Sequence, residues 1–247
     1  MTAKEEFIQY TNKYKKYGNK IDLKTNHTFR VQKLCEELAK SEGLNNDEIE
    51  LASTCGLLHD IGRFEQWKRY KSYKDLDTID HGDLGVEILN NNNFINKFSN
   101  KNHNTILMSV KYHNKYKVPN TLTETNKYYT NIVRDADKID ILYLFSINVL
   151  KITKASTKMS EKIFNTLINK KQIKRIDVKN KSDEIAIRLG FVFDLNFKKS
   201  YEIIKENNYL NKIIDIQIKE IDNKELINQL QELRKCINNY IEEMILC

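Results

Sequence analysis

His59 and Asp60 stand side by side at the end of the apolar run Leu51-Ala52-Ser53-Thr54-Cys55-Gly56-Leu57-Leu58. Burying an imidazole and a carboxylate together is costly unless something pairs with both, and a divalent metal ion does so. The chain has only five histidines. Four of them, His27, His59, His81 and His113, fall on apolar faces of helical patterns, and Asp137 falls on another. His103 lies in a polar, Asn-rich stretch and is expected to take no part. Each candidate has an ordinary reading alone: His27 as a hydrogen-bonded core histidine, His59-Asp60 as a capped helix end, Asp137 as an acceptor for Arg134 or Lys138. Their recurrence on five segments favours one shared site. Neutral imidazoles with carboxylates suit iron, manganese, cobalt or zinc, whereas Ca²⁺ draws almost only oxygen. Six ligands exceed the needs of one tetrahedral ion. They suffice for two ions that each keep a water position, with Asp60 as the bridge.

The elements that must position these groups are helices. Leu23, His27, Arg30, Val31, Leu34, Cys35 and Leu38 recur at three- and four-residue steps, so Leu23 to Lys40 reads as an amphipathic helix capped near Gly43. Asn46-Asp47 with Glu50 suggests the next start, and that helix carries Ile49, Ala52, Cys55 and His59 on one face to an end near Gly62. Arg63 to Ile79, with Phe64, Trp67, Tyr70 and Tyr73, has no clean period and reads as a loop or short irregular helices that either cover the site or pack elsewhere. A helix from about Asp80 aligns His81, Leu84, Gly85 and Ile88 and ends at the Asn90-Asn91-Asn92-Asn93 run. Another, about Asn102 to Asn114, aligns Ile106, Val110 and His113. A long one through about Lys151 aligns Val133, Asp137, Asp140, Ile141 and Leu144. Ile163 to Ile168, Ile185 to Leu195, Tyr201 to Ile221 and Glu225 to Ile245 are amphipathic and lack histidine, and Lys170 to Lys181 is a charged connector. The expectation is an all-α fold: one domain with its site within residues 20–150 and a helical layer over 151–247.

Composition supports this. Seven Gly and one Pro in 247 residues argue against a turn-rich β architecture. No apolar run approaches the ~18 residues of a membrane span, and the start of the chain lacks the apolar core of a secretory signal. Cys35, Cys55, Cys236 and Cys247 show no CxxC spacing, which suggests reduced thiols and a cytoplasmic protein. The net charge of +7 is mostly Lys mixed with Glu and Asp along helices, with no aromatic interleaving. It favours solvated helix faces over a nucleic-acid groove and suits a small phosphorylated ligand.

His27 on a first helix, Leu57-Leu58-His59-Asp60-Ile61-Gly62-Arg63, and Asp137 within Asp135-Ala136-Asp137-Lys138 resemble the HD-domain superfamily of metal-dependent phosphohydrolases. The resemblance covers roughly residues 20 to 150. It implies an all-α helical bundle, one or two divalent ions (Fe, Mn, Co, Zn or Mg), and hydrolysis of a phosphate ester, usually in a nucleotide. His81 and His113 are similar to the extra pair of the dinuclear branch, which includes symmetrical dinucleoside tetraphosphate hydrolases and the HD-GYP phosphodiesterases. The Gly-Tyr-Pro signature and the His-His doublet of HD-GYP proteins are missing, since Tyr112 precedes His113. The same ligand order also occurs in diiron oxygenases of the inositol-oxygenase-like branch, and a non-catalytic nucleotide-binding sensor is a further alternative.

On the hydrolase reading, one ion takes His27, His59, Asp60 and Asp137 and the other takes Asp60, His81 and His113. Lys138 and Arg63 are expected to contact a phosphate, and Arg30 and Asp140 to orient ligands from behind.

Overall fold

The structure, a computed structural model, describes residues 2–91, 100–151 and 155–247. It is all-α: no strand occurs among the described residues, and no helix among them is long and apolar enough to cross a membrane. The chain divides into two compact units, Met1–Asp137 and Lys138–Cys247.

The first unit opens with α1 (Ala3–Asn12), which the sequence pattern had not suggested. Thr2 and Glu5 form a capping box there, and Phe7 packs edge-on against Phe29 and Phe64, each with centroids 5.7 Å away. Then α2 (Asn19–Ser41) buries His27, Val31, Cys35 and Leu38, the expected stripe. It ends as the backbone turns left-handed at Gly43 (φ 74°), where the Leu44 N–H reaches back to the Ala39 carbonyl. The next helix, α3 (Asn46–Leu58), is capped by Asn45 with Glu48, one position before the expected Asn46 and two before Glu50.

The HD pair is not a helix end followed by a loop. α3 stops at Leu58, the chain turns through His59 and Asp60, and a new helix, α4 (Ile61–Tyr70), starts at once. Arg63 to Tyr70 is therefore helical: its apolar period is masked because Phe64 and Trp67 pack on rings and backbone of α1 and residues 14–17. An irregular stretch with a tight turn at Asp75–Asp77 leads to α5 (His81–Asn91), where Asp80 Oδ1 accepts the N–H groups of Gly82 and Asp83. Asn92 and Asn93 of the run expected to end it lie outside the described residues.

α6 (Asn100–Tyr112) buries Ile106 and Val110. α7 (Glu124–Ser146) contributes Ile132, Val133 and Ala136 to the first unit's core and runs on past Asp137. It ends five residues before Lys151 because Asn148 turns left-handed (φ 59°) and the Val149 N–H returns to the Leu144 carbonyl. Cys35 and Cys55 are buried free thiols, and burial pushes the Cys55 thiol up to about 12.

The second unit holds α8 (Glu161–Ile168), α9 (Lys181–Leu189), α10 (Lys198–Glu206), α11 (Tyr209–Glu220) and α12 (Lys224–Leu246). The stretch read as one segment from Tyr201 to Ile221 is two helices, broken where Asn208 adopts φ 55°. α12 buries Leu226, Leu230, Leu233, Ile237 and Ile241 along one stripe.

Candidate metal centre

Every residue of the cluster belongs to the first unit. His27 comes from α2, His59 and Asp60 from the α3–α4 turn, His81 from the first position of α5, His113 from just past α6, and Asp137 from α7. Gly62 permits the closest of these approaches. A Cβ there would lie 2.2 Å from the His81 carbonyl oxygen and 2.8 Å from the Gly85 nitrogen, so only glycine lets α5 lie directly on α4.

Asp60 occupies the middle. Its Oδ2 lies 3.4 Å from His27 Nε2 and 3.5 Å from His59 Nε2, and its Oδ1 lies 3.3 Å from His81 Nε2 and 3.8 Å from His113 Nε2. Asp137 Oδ1 is 3.1 Å from His27 Nε2 and 3.8 Å from His59 Nε2. The His113 ring centroid is 5.0 Å from that of His59 and 4.9 Å from that of His81. Donor atoms mutually within 4.8 Å form two overlapping groups, His27–His59–Asp137 and His59–Asp60–His113, so the cluster is continuous.

The hydrogen bonds behind the rings fix their tautomers. His59 Nδ1 donates to the Gly56 carbonyl (2.7 Å), His113 Nδ1 to the Val110 carbonyl (2.8 Å), and His81 Nδ1 to Asp75 Oδ2 (2.7 Å). Carbonyl and carboxylate oxygens only accept, so each Nδ1 carries the proton and each Nε2 turns a lone pair inward. The Nε2 atoms of His81 and His113 then face each other at 2.9 Å. Buried His59 Nε2 has no hydrogen-bond partner. Converging lone pairs beside two carboxylates repel unless a cation lies among them. Donors bound to one ion at about 2.0–2.2 Å stand roughly 2.9–3.6 Å apart, which matches the contacts His81–His113, His27–Asp137, His81–Asp60 and His27–Asp60. The residues present fit a divalent metal.

The electrostatics agree. Burial holds the His59 imidazole below its ordinary range and pushes His81 down to about 4, so both are neutral near pH 7. Burial opposes ionisation of Asp60, but the Lys24 ammonium outweighs it and holds the carboxyl well below the usual range. Burial is likewise overcome at Asp137 by its contact with His27, and at Asp75 by His81 and Arg63.

Asp75 and Lys24 had not been singled out. Asp75 sits in the irregular stretch and gathers His81, Arg63 and Gln66, the last two at 2.8 and 2.9 Å from Oδ1. Lys24 Nζ lies 2.5 Å from Asp60 Oδ2. Arg63 Nη1 bonds Gln66 Oε1, the Tyr73 carbonyl and Asp75 Oδ1, which makes it a brace for the α4–α5 stretch as well as a neighbour of Asp60. Arg30 is half-buried one turn after His27. Lys138 and Asp140 belong to the second unit, where Lys138 bonds Asp194 through its carbonyl (3.0 Å) and carboxylate (2.7 Å) and Asp140 is buried. Arg134 donates to the carbonyls of Tyr112, His113 and Lys115 and so secures the end of α6 that carries His113. His103 is half-buried ten residues before His113, about 15 Å away along the chain's helix.

A family model described as HD domain matches residues 25–142, a span that contains all six clustered residues and Asp75. No curated protein and no solved structure matches the chain.

Proposed function

We propose that the HD domain matched at residues 25–142 makes this chain a metal-dependent phosphohydrolase, which hydrolyses a phosphate ester, with a nucleotide as substrate, at the His27–Asp137 cluster. The observation that carries this reading is the set of inward Nε2 lone pairs locked by Nδ1 bonds around Asp60. One or two divalent ions would be held by His27, His59, Asp60 and Asp137 and by Asp60, His81 and His113. Bound there, such an ion supplies Lewis-acid polarisation of phosphoryl oxygens and acidifies water to a pKa near ~7.

The chain's own residues prepare that chemistry. Asp60 presents one oxygen to each half of the cluster, and Asp75, Gly56 and Val110 keep the imidazoles oriented without reorganisation. The side chains of His59, His81 and His113 are at most 3% exposed, whereas Asp137 is 19% exposed. Substrate therefore approaches from the Asp137 side, where Lys24 is 20% exposed. The +7 charge biases the molecule toward anionic ligands.

His59→Ala and Asp60→Ala are expected to lose bound metal and to lower hydrolysis of bis(p-nitrophenyl) phosphate by at least ~10²-fold, with helical circular dichroism retained. Mass-spectrometric metal analysis of chelator-free protein, plus assays in air and under argon, checks this. Full turnover by the double variant would remove the reading. Turnover that needs oxygen would replace it with the oxygenase alternative.

A further inference from the structure

One cation already sits on the cluster. Lys24 lies on α2 one turn before His27, and its ammonium contacts Asp60 Oδ2 at 2.5 Å. That is the carboxylate oxygen turned toward His27 and His59, while Oδ1 is turned toward His81 and His113. Lys24 thus occupies the half of the cluster where His27, His59 and Asp137 converge. An ammonium and a divalent ion cannot both use one carboxylate oxygen at contact distance without strong mutual repulsion. The ammonium is also the cation that can move. Its side chain is 20% exposed against 3% for Asp60, it hangs on a flexible four-carbon stem, and its Nζ lies 5.8 Å from the Tyr73 ring centroid. Arg63, by contrast, is pinned by Gln66, the Tyr73 carbonyl and Asp75.

We propose that Lys24 is an exchangeable counter-cation, resting on the reading of this cluster as a metal centre. It neutralises Asp60 while metal is absent, is displaced from that oxygen by the divalent ion, and then presents its charge to the substrate oxyanion on the open side of the site. Two linked effects of opposite sign follow. Lys24 competes with the metal, and it assists the anion once the metal is in place.

Calorimetric titration of Mn²⁺ into the metal-free chain, and of inorganic phosphate into the Mn²⁺-loaded chain, tests both effects in wild type, Lys24→Met and Lys24→Arg. Lys24→Met is expected to bind Mn²⁺ at least about tenfold more tightly, and its loaded form to bind phosphate at least about tenfold more weakly. Lys24→Arg, which keeps the charge, is expected to restore both toward wild type. A merely loosened fold would weaken both. If Lys24→Met misfolds, Lys24→Gln gives the same comparison. Unchanged or weaker Mn²⁺ binding in a folded Lys24→Met chain overturns the exchange, as does unchanged phosphate binding. Wild-type protein that takes up no Mn²⁺ overturns the metal-centre reading itself, and the exchange with it.

Discussion

The Asp75 carboxylate accepts the Nδ1–H of His81 on one oxygen and bonds Arg63 and Gln66 on the other, so a single side chain orients the His81 imidazole and ties it to α4. Asp75→Asn offers an amide in place of one oxygen and weakens that hold. Partners of this kind are worth about 10–100-fold in metal affinity. The expected outcome is loss of metal from the His81–His113 end, with the His27 end still loaded. Metal equivalents per chain at limiting metal measure it, and equal loss at both ends would contradict the assignment. The six clustered residues were legible in the sequence because histidine is scarce in this chain and falls on apolar stripes. Asp75 and Lys24 were not. The first lies in a polar stretch without period, the second reads as an ordinary surface lysine, and their importance comes from contacts across 6 and 36 residues of sequence.

At the scale of elements, the centre depends on α5 lying directly on α4 at Gly62. A methyl group there would meet backbone, which cannot swing aside as a side chain end can. Gly62→Ala is therefore expected to cost about 1–3 kcal/mol, the usual range for overpacking, and to displace His81 from Asp60. Urea denaturation gives the first quantity and metal stoichiometry the second. Unchanged stability with full metal uptake would show that α5 can retreat without consequence. The helices themselves followed from periodicity and caps, as α2, α6 and α12 illustrate. Periodicity failed where packing partners lay elsewhere. α1 went unnoticed, α4 was hidden by aromatic contacts that serve Phe7 and Tyr14, and the α10–α11 break turns on one left-handed asparagine.

For the whole molecule, the buried imidazoles make stability without metal depend on pH. His81, held near 4 in the fold against about 6.5 when unfolded, takes up its proton more readily unfolded, and His59 is shifted in the same direction. The stabilisation is complete above pH ~6.5 and is lost as pH falls toward 4, on the order of 3 kcal/mol for His81. The depressed carboxyls of Asp60, Asp75 and Asp137 add further losses below about pH 4. Urea midpoints of metal-free protein at pH 7, 5.5 and 4.5 should therefore fall in that order, and a flat profile would contradict the buried neutral state of the histidines.

By itself, the sequence determined that this chain is helical and which side chains face inward, because a 3.6-residue period and capping residues act within a few positions of one another. It also singled out the histidines and aspartates that cluster. The tertiary structure alone decided that the inward residues meet at Asp60, which nitrogen each imidazole turns toward it, and that a lysine contacts its carboxylate. Such choices depend on distances between segments far apart in the chain, and no local pattern encodes them.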